Sequence, residues 1–390
     1  MKMMLLGLQM MLVAPLCQLS SCRHRVTILS PSRHRHCAAP PLAKASSFGS
    51  LQAKWSRSAC ARGTLALVAA TYGSNYACVK LLDGWIGSPA EAATLRFSIA
   101  CAATLPALVI LGKRSPRIVQ WPLARDGLLV GVYFAAGYAV QAMALETSSA
   151  GLQAFLLSLS VIVCPILEQV FDSKQQPARV WWAAAVAMLG VAALESGNLA
   201  CGGLSRGDML GLLQPIFFGA GFFECERAMR RHKDGPRDMA TPMALTAWNL
   251  VAVLLLSLAW LHLAGGRAEL QDIAASILSS PAEHLCIIAA VLWTGLVTTA
   301  GCSLAEASSL GDITASDATV VFATEPLWGA LFAYVMLGER IGPSTAAGGL
   351  LMVLACLISG SSEFDLASPT SCFPHLRESS LGSIERPMGQ

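Results

Sequence analysis

Glu146-Thr-Ser-Ser-Ala-Gly151 recurs later in the chain as Glu306-Ala-Ser-Ser-Leu-Gly311. Each copy closes one long apolar segment and opens the next. Each is followed in mid-segment by a single proline, Pro165 and Pro326. A short pattern repeated inside hydrophobic sequence points to an internal duplication of membrane helices, the plan of transporters built from two halves.

The surrounding sequence agrees. Of 390 residues, 54% are hydrophobic and 13% charged, whereas soluble domains carry about 25% charged residues. A water-facing surface cannot be built from that supply. Apolar runs cover Gly63–Leu82, Ala90–Leu111, Gly127–Leu145, Gly151–Phe171, Val180–Leu194, Met209–Glu224, Pro242–Leu263, Leu285–Ala305, Thr314–Leu337 and Gly342–Ile358. A membrane-crossing helix needs about 20 residues. Val180–Leu194 and Met209–Glu224 are short by that measure, but the pattern still predicts an all-α, polytopic membrane protein with ten transmembrane helices.

Loop charge sets the orientation. With the N-terminus inside, the inside loops hold Lys113, Arg114, Arg117 and Arg125, then Lys174 and Arg179, then Arg227, Arg230, Arg231, Lys233 and Arg237. Arg377 and Arg386 follow on the tail. Outside loops hold Arg206, Arg267 and Arg340. This is the bias of the positive-inside rule. The two copies join spans three and four, and spans eight and nine. An odd number of spans separates them, so they face opposite sides and predict two inverted five-helix repeats.

No Asp or Glu precedes Asp83, while Lys2, Arg23, Arg25, Arg33, Arg35, Lys44, Lys54, Arg57, Arg62 and Lys80 do. An acid-free, Arg- and Ser-rich start is the pattern of organelle transit peptides, and Met3–Leu16 has the apolar character of a signal h-region. Residues 1–62 are therefore expected to form a cleavable, disordered leader. It would deliver the protein to a plastid membrane, with mitochondrial and endomembrane or plasma-membrane destinations as alternatives. The thirteen cysteines show no CxxC or Cys/His metal spacing and read as small apolar residues.

Tyr72-Gly-Ser-Asn-Tyr76 with Lys80 in span one, and Leu95-Arg96-Phe97 in span two, resemble the opening helices of the EamA-type drug/metabolite transporters. So do the stretch from Glu146 to Pro165 and that from Glu325-Pro326 to Leu337-Gly-Glu-Arg340. The resemblance spans about residues 63–360. It implies repeats at 63–196 and 206–360, a tail at 361–390, and a central cavity lined largely by spans one, three, four, six, eight and nine. An organelle-targeted member of plant or algal type is the expected variant. One departure is Asp172-Ser-Lys174, where the second half has its Gly-Glu-Arg hinge.

Ionisable groups in lipid normally face a cavity or a partner. Glu325 precedes Pro326, whose ring removes a backbone hydrogen bond; a cavity-lining acid and a cap for a neighbouring helix both remain open. Cys164 occupies the corresponding place before Pro165. Glu168 is expected at the inside membrane edge, reaching headgroups. Glu146 and Glu306 are expected to serve helix termination and capping. Lys80 can snorkel and Arg96 can pair with Glu91 or another acid; either is also a candidate for binding an anionic substrate, and for Arg96 the family resemblance implies structural pairing. Organic-solute sites are mostly neutral, polar and aromatic. On that basis Tyr72, Asn75, Tyr76, Tyr138, Gln141, Gln214, Trp293, Thr298 and Glu325 are the candidate substrate residues, with Pro165 and Pro326 as kinks for gating.

These features predict a secondary transporter of small organic metabolites working by alternating access, with protons as a candidate coupling ion. No cofactor, metal or nucleic-acid partner is expected, and the sequence sets no oligomeric state. No Walker loop occurs. A sugar-phosphate or nucleotide-sugar exchanger is the alternative within transport, but no lysine follows Lys233 to supply a phosphate site. A membrane enzyme is disfavoured because the histidines lie mostly in the leader, loops and tail. A non-transporting receptor or assembly subunit is the remaining class.

Overall fold

In a bilayer core every backbone N–H and C=O must be paired within the protein, which restricts an apolar chain of this kind to helices or a closed barrel. The computed structural model describes residues 43–360 except 174, 200–204, 236–237, 266–271, 273–274, 277–278, 281–283 and 339–341. Among the described residues there is helix and turn, and no β-strand. In chain order the long helices are α1 (Ala43–Ile86), α2 (Pro89–Arg114), α3 (Trp121–Leu145), α4 (Ala150–Phe171), α5 (Ala178–Leu199), α6 (Gln214–His232), α7 (Ala240–Leu263), α8 (Leu285–Leu310), α9 (Ala315–Leu337) and α10 (Pro343–Gly360). A short helix, Arg206–Gly211, precedes α6. Among the described residues six helices, α2, α3, α4, α7, α8 and α9, are long and apolar enough to cross a membrane, against the ten expected from the sequence.

Of the expected leader, residues 1–42 lie outside the described residues. Helix α1 begins at Ala43, so its first turns fall within the stretch expected to be leader. The tail 361–390 lies outside them too, as do Lys174, Arg237, Arg267 and Arg340. Many large apolar side chains point outward, among them Val109, Trp121, Phe171, Trp182, Leu189 and Leu350. An apolar exterior of that extent suits lipid contact and not water.

Packing is paired. Helix α1 lies on α8 and α9, and α6 lies on α3 and α4. Helix α2 packs on α7 and α8, α7 on α2 and α3, α5 on α10, and α4 on α9. Two glycines permit the closest approaches. A Cβ on Gly73 of α1 would stand 2.5 Å from Trp328 Cβ and 2.7 Å from the Gly329 nitrogen of α9. One on Gly219 of α6 would stand 2.8 Å from Val163 Cγ1 of α4. Small residues at such crossings let helix backbones meet.

The two copies of the repeated pattern sit at opposite ends of α6 and beside different stretches of α1, the first at Lys80 and the second between Arg62 and Tyr72. Beside the first copy, Lys80 near the C-terminal end of α1 donates to the Ser148 carbonyl at 3.0 Å. From the segment before α6, Asp208 accepts from Ser148 Oγ at 2.6 Å and the Gly207 amide donates to Thr147 Oγ1 at 2.9 Å. At the second copy, Lys233 after α6 donates to the Ser308 carbonyl at 3.5 Å and pairs with Asp312 at 3.3 Å. Arg62 of α1 reaches Asp317 there at 3.7 Å. Arg62 and Lys80 are about 27 Å apart along an α-helix, close to the hydrocarbon thickness.

The end carrying the second copy is laced with ion pairs. Arg117 binds Asp234 and Asp238, Arg231 and His232 meet Asp126, and Arg227 and Arg230 meet Asp172. Glu168 corrects an expectation here. It is buried, and accepts from the Ser316 amide at 2.9 Å, Ser316 Oγ at 2.6 Å and Gln176 Nε2 at 2.6 Å. Glu226 accepts from the Ala315 amide at 2.7 Å. Two carboxylates thus cap the N-terminus of α9, where the helix dipole and unpaired N–H groups favour anions. The turn after α4 uses Ser173 at φ +50°, that after α9 Gly338 at φ +70°; glycine enters that region freely and serine rarely does.

Candidate functional site

Where these helices converge, a cavity forms. From α1 come Tyr72 and Asn75, from α8 Glu306 and from α9 Glu325. Opposite them α3 supplies Phe134, Tyr138 and Gln141, α4 supplies Leu157, and α6 supplies Phe218 and Phe222. Its volume open to water is ≈ 30 Å³, room for about two water molecules.

Glu306 is the group that the sequence placed elsewhere. Its copy Glu146 is exposed, as expected of a helix-terminal residue. Glu306 is 2% exposed and accepts a hydrogen bond from Tyr72 Oη at 3.0 Å. The pattern is the same, but Glu306 is enclosed by α1 and the cavity. The only hint in sequence was the ability of Tyr72, on another helix, to supply a donor. Glu325 opens the segment Glu325–Phe332 after α9 breaks at Ala323–Thr324, and is 3% exposed. Pro326 falls in the first turn of that segment, where no N–H is needed. Pro165 lies inside Ser160–Phe171, beyond a break at Leu159. Cys164 instead meets the Gly219 carbonyl at 3.4 Å.

The aromatic members hold one another. Tyr138 and Phe218 have ring centroids 5.1 Å apart at 82°, Phe134 and Phe222 5.6 Å at 66°, and Phe134 and Phe218 5.9 Å. Edge-on and tilted contacts at such distances are favourable beyond their burial. Arg96 lies with its guanidinium 4.4 Å from the Phe97 centroid and 5.1 Å from that of Tyr138. Its Nε and Nη1 have no hydrogen-bond partner.

Of the nine candidate substrate residues, Tyr72, Asn75, Tyr138, Gln141 and Glu325 line the cavity. Tyr76 is buried beside it, its hydroxyl interacting electrostatically with Glu325. Trp293 and Thr298 lie outside the lining and tie α8 to α1. Trp293 Nε1 donates to Ser74 Oγ and Thr298 Oγ1 to Asn75 Oδ1, each at 2.9 Å. Both belong to a π-helical stretch, Trp293–Gly301, a local widening common at functional sites. Gln214 is also outside the lining, donating to Gln153 Oε1 in the polar cluster around Ser148. Phe134, Leu157, Phe218 and Phe222 were not singled out, because a buried phenylalanine in a membrane helix looks like packing until its neighbours are known.

A bundle apolar on its outside and holding acids and amides among aromatic rings at its centre is a multi-pass membrane protein with an internal site. The chain belongs to the EamA-like transporter family, whose sequence pattern it matches twice, at residues 63–195 and 205–361. It is similar to an uncharacterized transporter of Archaeoglobus fulgidus, 27% identical over 300 residues that make up 75% of this chain and 83% of that protein. A protein of known crystal structure shares the fold at a TM-score of 0.53 and 16% identity, over 78% of this chain and 99% of the other.

Proposed function

We propose that this membrane transporter is a secondary carrier of a small organic metabolite. It would work by alternating access between two inverted repeats of five spans, α1–α5 and α6–α10. The observation that carries the reading is the cavity, a largely apolar space between helices of both halves into which two carboxyl groups and two amides are set. Inversion is supported by the two copies of the repeated pattern lying at opposite ends of α6. The packing supports the correspondence of the halves: exchanging them turns α1 on α8 into α6 on α3, α1 on α9 into α6 on α4, and α2 on α8 into α7 on α3. A rocking of one half against the other would open the same cavity to either side in turn.

Glu306 and Glu325 are the groups in the cavity able to take up and release protons, so a proton gradient is the proposed energy source. The ion-paired end is proposed to face inside, because Arg117, Arg125, Arg227, Arg230 and Arg231 gather there as the positive-inside rule requires. The acid-free basic N-terminal stretch supports delivery to a plastid membrane.

The deciding measurement is uptake of a mixed metabolite panel by proteoliposomes holding the full chain, with and without an imposed proton gradient. Saturable flux that responds to the gradient is expected. No saturable flux of any solute would overturn transport, and flux indifferent to the gradient would overturn proton coupling alone. Fusing residues 1–62 to a fluorescent protein tests the destination; secretion instead of plastid import sinks that part.

A further inference from the structure

We propose that the transported solute is an organic cation, a protonated amine carrying an apolar or aromatic body; the inference rests on the transport reading above and narrows it. Charge is the first ground. The lining holds two carboxylates, Glu306 and Glu325, and no lysine, arginine or histidine. Both acids are almost wholly enclosed, at 2% and 3% exposure, where an uncompensated charge is costly. While both acids are ionised, an anionic solute would add to the imbalance, whereas an ammonium group offsets it.

Hydrogen bonding is the second ground. Gln141 is 3% exposed and its Oε1, in the cavity lining, has no hydrogen-bond partner. The Tyr72 hydroxyl proton is already committed to Glu306. Asn75 Oδ1 adds another acceptor, engaged by Thr298 on one side. Beside the Tyr138 hydroxyl and the two amide NH2 groups, the lining thus holds the acceptors Gln141 Oε1, Asn75 Oδ1 and the two carboxylates, and a group rich in N–H donors complements these. An ammonium has up to three and accepts nothing.

The third ground is the aromatic side. Rings attract cations through their faces and pack well against apolar bodies. The nearby Arg96 guanidinium already lies over Tyr138 and opposes a second cation on that ring. The solute's charge is therefore placed at Glu306 and Glu325, with its body between Phe218 and Phe222. The cavity as it stands holds little more than water, so entry requires these rings to part.

The probe is radiolabelled 2-phenylethylammonium, bound to the full chain in lipid nanodiscs. Competitors are 2-phenylethanol and 3-phenylpropanoate, which keep the ring and exchange the head group for a neutral or anionic one. Saturable ammonium binding is expected, with the alcohol weaker by at least about ten-fold and the carboxylate not competing. Glu306→Gln and Glu325→Gln should each weaken ammonium binding by a similar factor, and Glu146→Gln should leave it unchanged. The ranking of head groups is measured on the unaltered chain, so it decides the matter even where a variant fails to fold. No saturable ammonium binding, or equal binding of the alcohol or carboxylate, would overturn the proposal. Saturable flux of another solute in the panel would then leave transport standing, while its absence for every solute would remove both.

Discussion

The cavity has two walls made from corresponding helices, and they differ in chemistry. Helices α1, α8 and α9 contribute Tyr72, Asn75, Glu306 and Glu325, while their counterparts α6, α3 and α4 contribute Phe218, Phe222, Phe134, Tyr138, Gln141 and Leu157. Tyr72 and Phe218 hold the same place in their halves, each just before the glycine of a close helix crossing. One wall holds both acids, the other four of the five rings. A site with a charged side and an apolar side orients a solute, which two like walls would not.

The sharpest way to break this comparison is at the acids. Glu306→Gln is expected to lower solute flux by about ten-fold or more, the scale of a lost charge-assisted hydrogen bond. Glu146→Gln, the same position in the other copy, is expected to leave flux within two-fold, roughly the scale of a surface substitution. Parallel uptake assays decide it, and equal losses would mean that both glutamates act structurally.

The ring wall comes next. Phe218→Ala removes a ring packed on Tyr138 and Phe134, and a loss of about 3–5 kcal/mol is expected, read by thermal unfolding in detergent. Phe218→Tyr would make the walls more alike at the position that corresponds to Tyr72. It should retain most of the stability, with any change confined to solute preference.

Smaller effects compare the two glycines. Gly73→Ala forces a Cβ against a fixed backbone nitrogen and the Trp328 Cβ, an overpacking worth about 1–3 kcal/mol. Gly219→Ala meets Val163 Cγ1 at 2.8 Å and Cβ at 3.1 Å, side-chain atoms with no backbone atom among the nearest, so it should cost less. Equal unfolding temperatures for the pair would show that the crossings are not distinguished in this way.

The smallest effect lies in the loop between α6 and α7. Burial alone would raise the Asp238 carboxyl. Hydrogen bonds from the Thr241 side chain and amide, the Arg117 charge and the Ala240 amide outweigh it, and hold the group below the usual carboxylate range. A lowered value in the folded protein contributes stability above the unfolded value, near pH 3.9, and that contribution is lost as pH falls through the folded value. Asp238→Asn should therefore lower the melting temperature at neutral pH by roughly 2–4 °C and flatten its acid dependence. An unchanged acid profile would contradict this account.

Several features were legible before any coordinates. An apolar content of 54% forces backbone pairing inside helices, and the recurrence of the Glu-x-Ser-Ser-x-Gly pattern sets their correspondence. Tyr72, Asn75, Tyr138, Gln141 and Glu325 could be picked out because polar side chains in lipid-length segments need a reason to be there. Trp293 and Thr298 satisfied the same rule in a different way, by tying α8 to α1, and sequence has no means of separating an inter-helix bond from a lining group. Glu168 was misjudged for a related reason: its partner, the N-terminus of α9, is 148 positions away in the chain.

Sequence alone determined that this protein lies in a membrane as helices and that its two halves correspond, since composition and repetition are properties of the chain in order. Tertiary structure decided which of two identical glutamates is buried. Glu146 and Glu306 share a motif, but only at Glu306 does another helix bring a tyrosine hydroxyl within hydrogen-bonding distance. Burial and partnership belong to the neighbours that folding brings together, and the motif itself does not contain them.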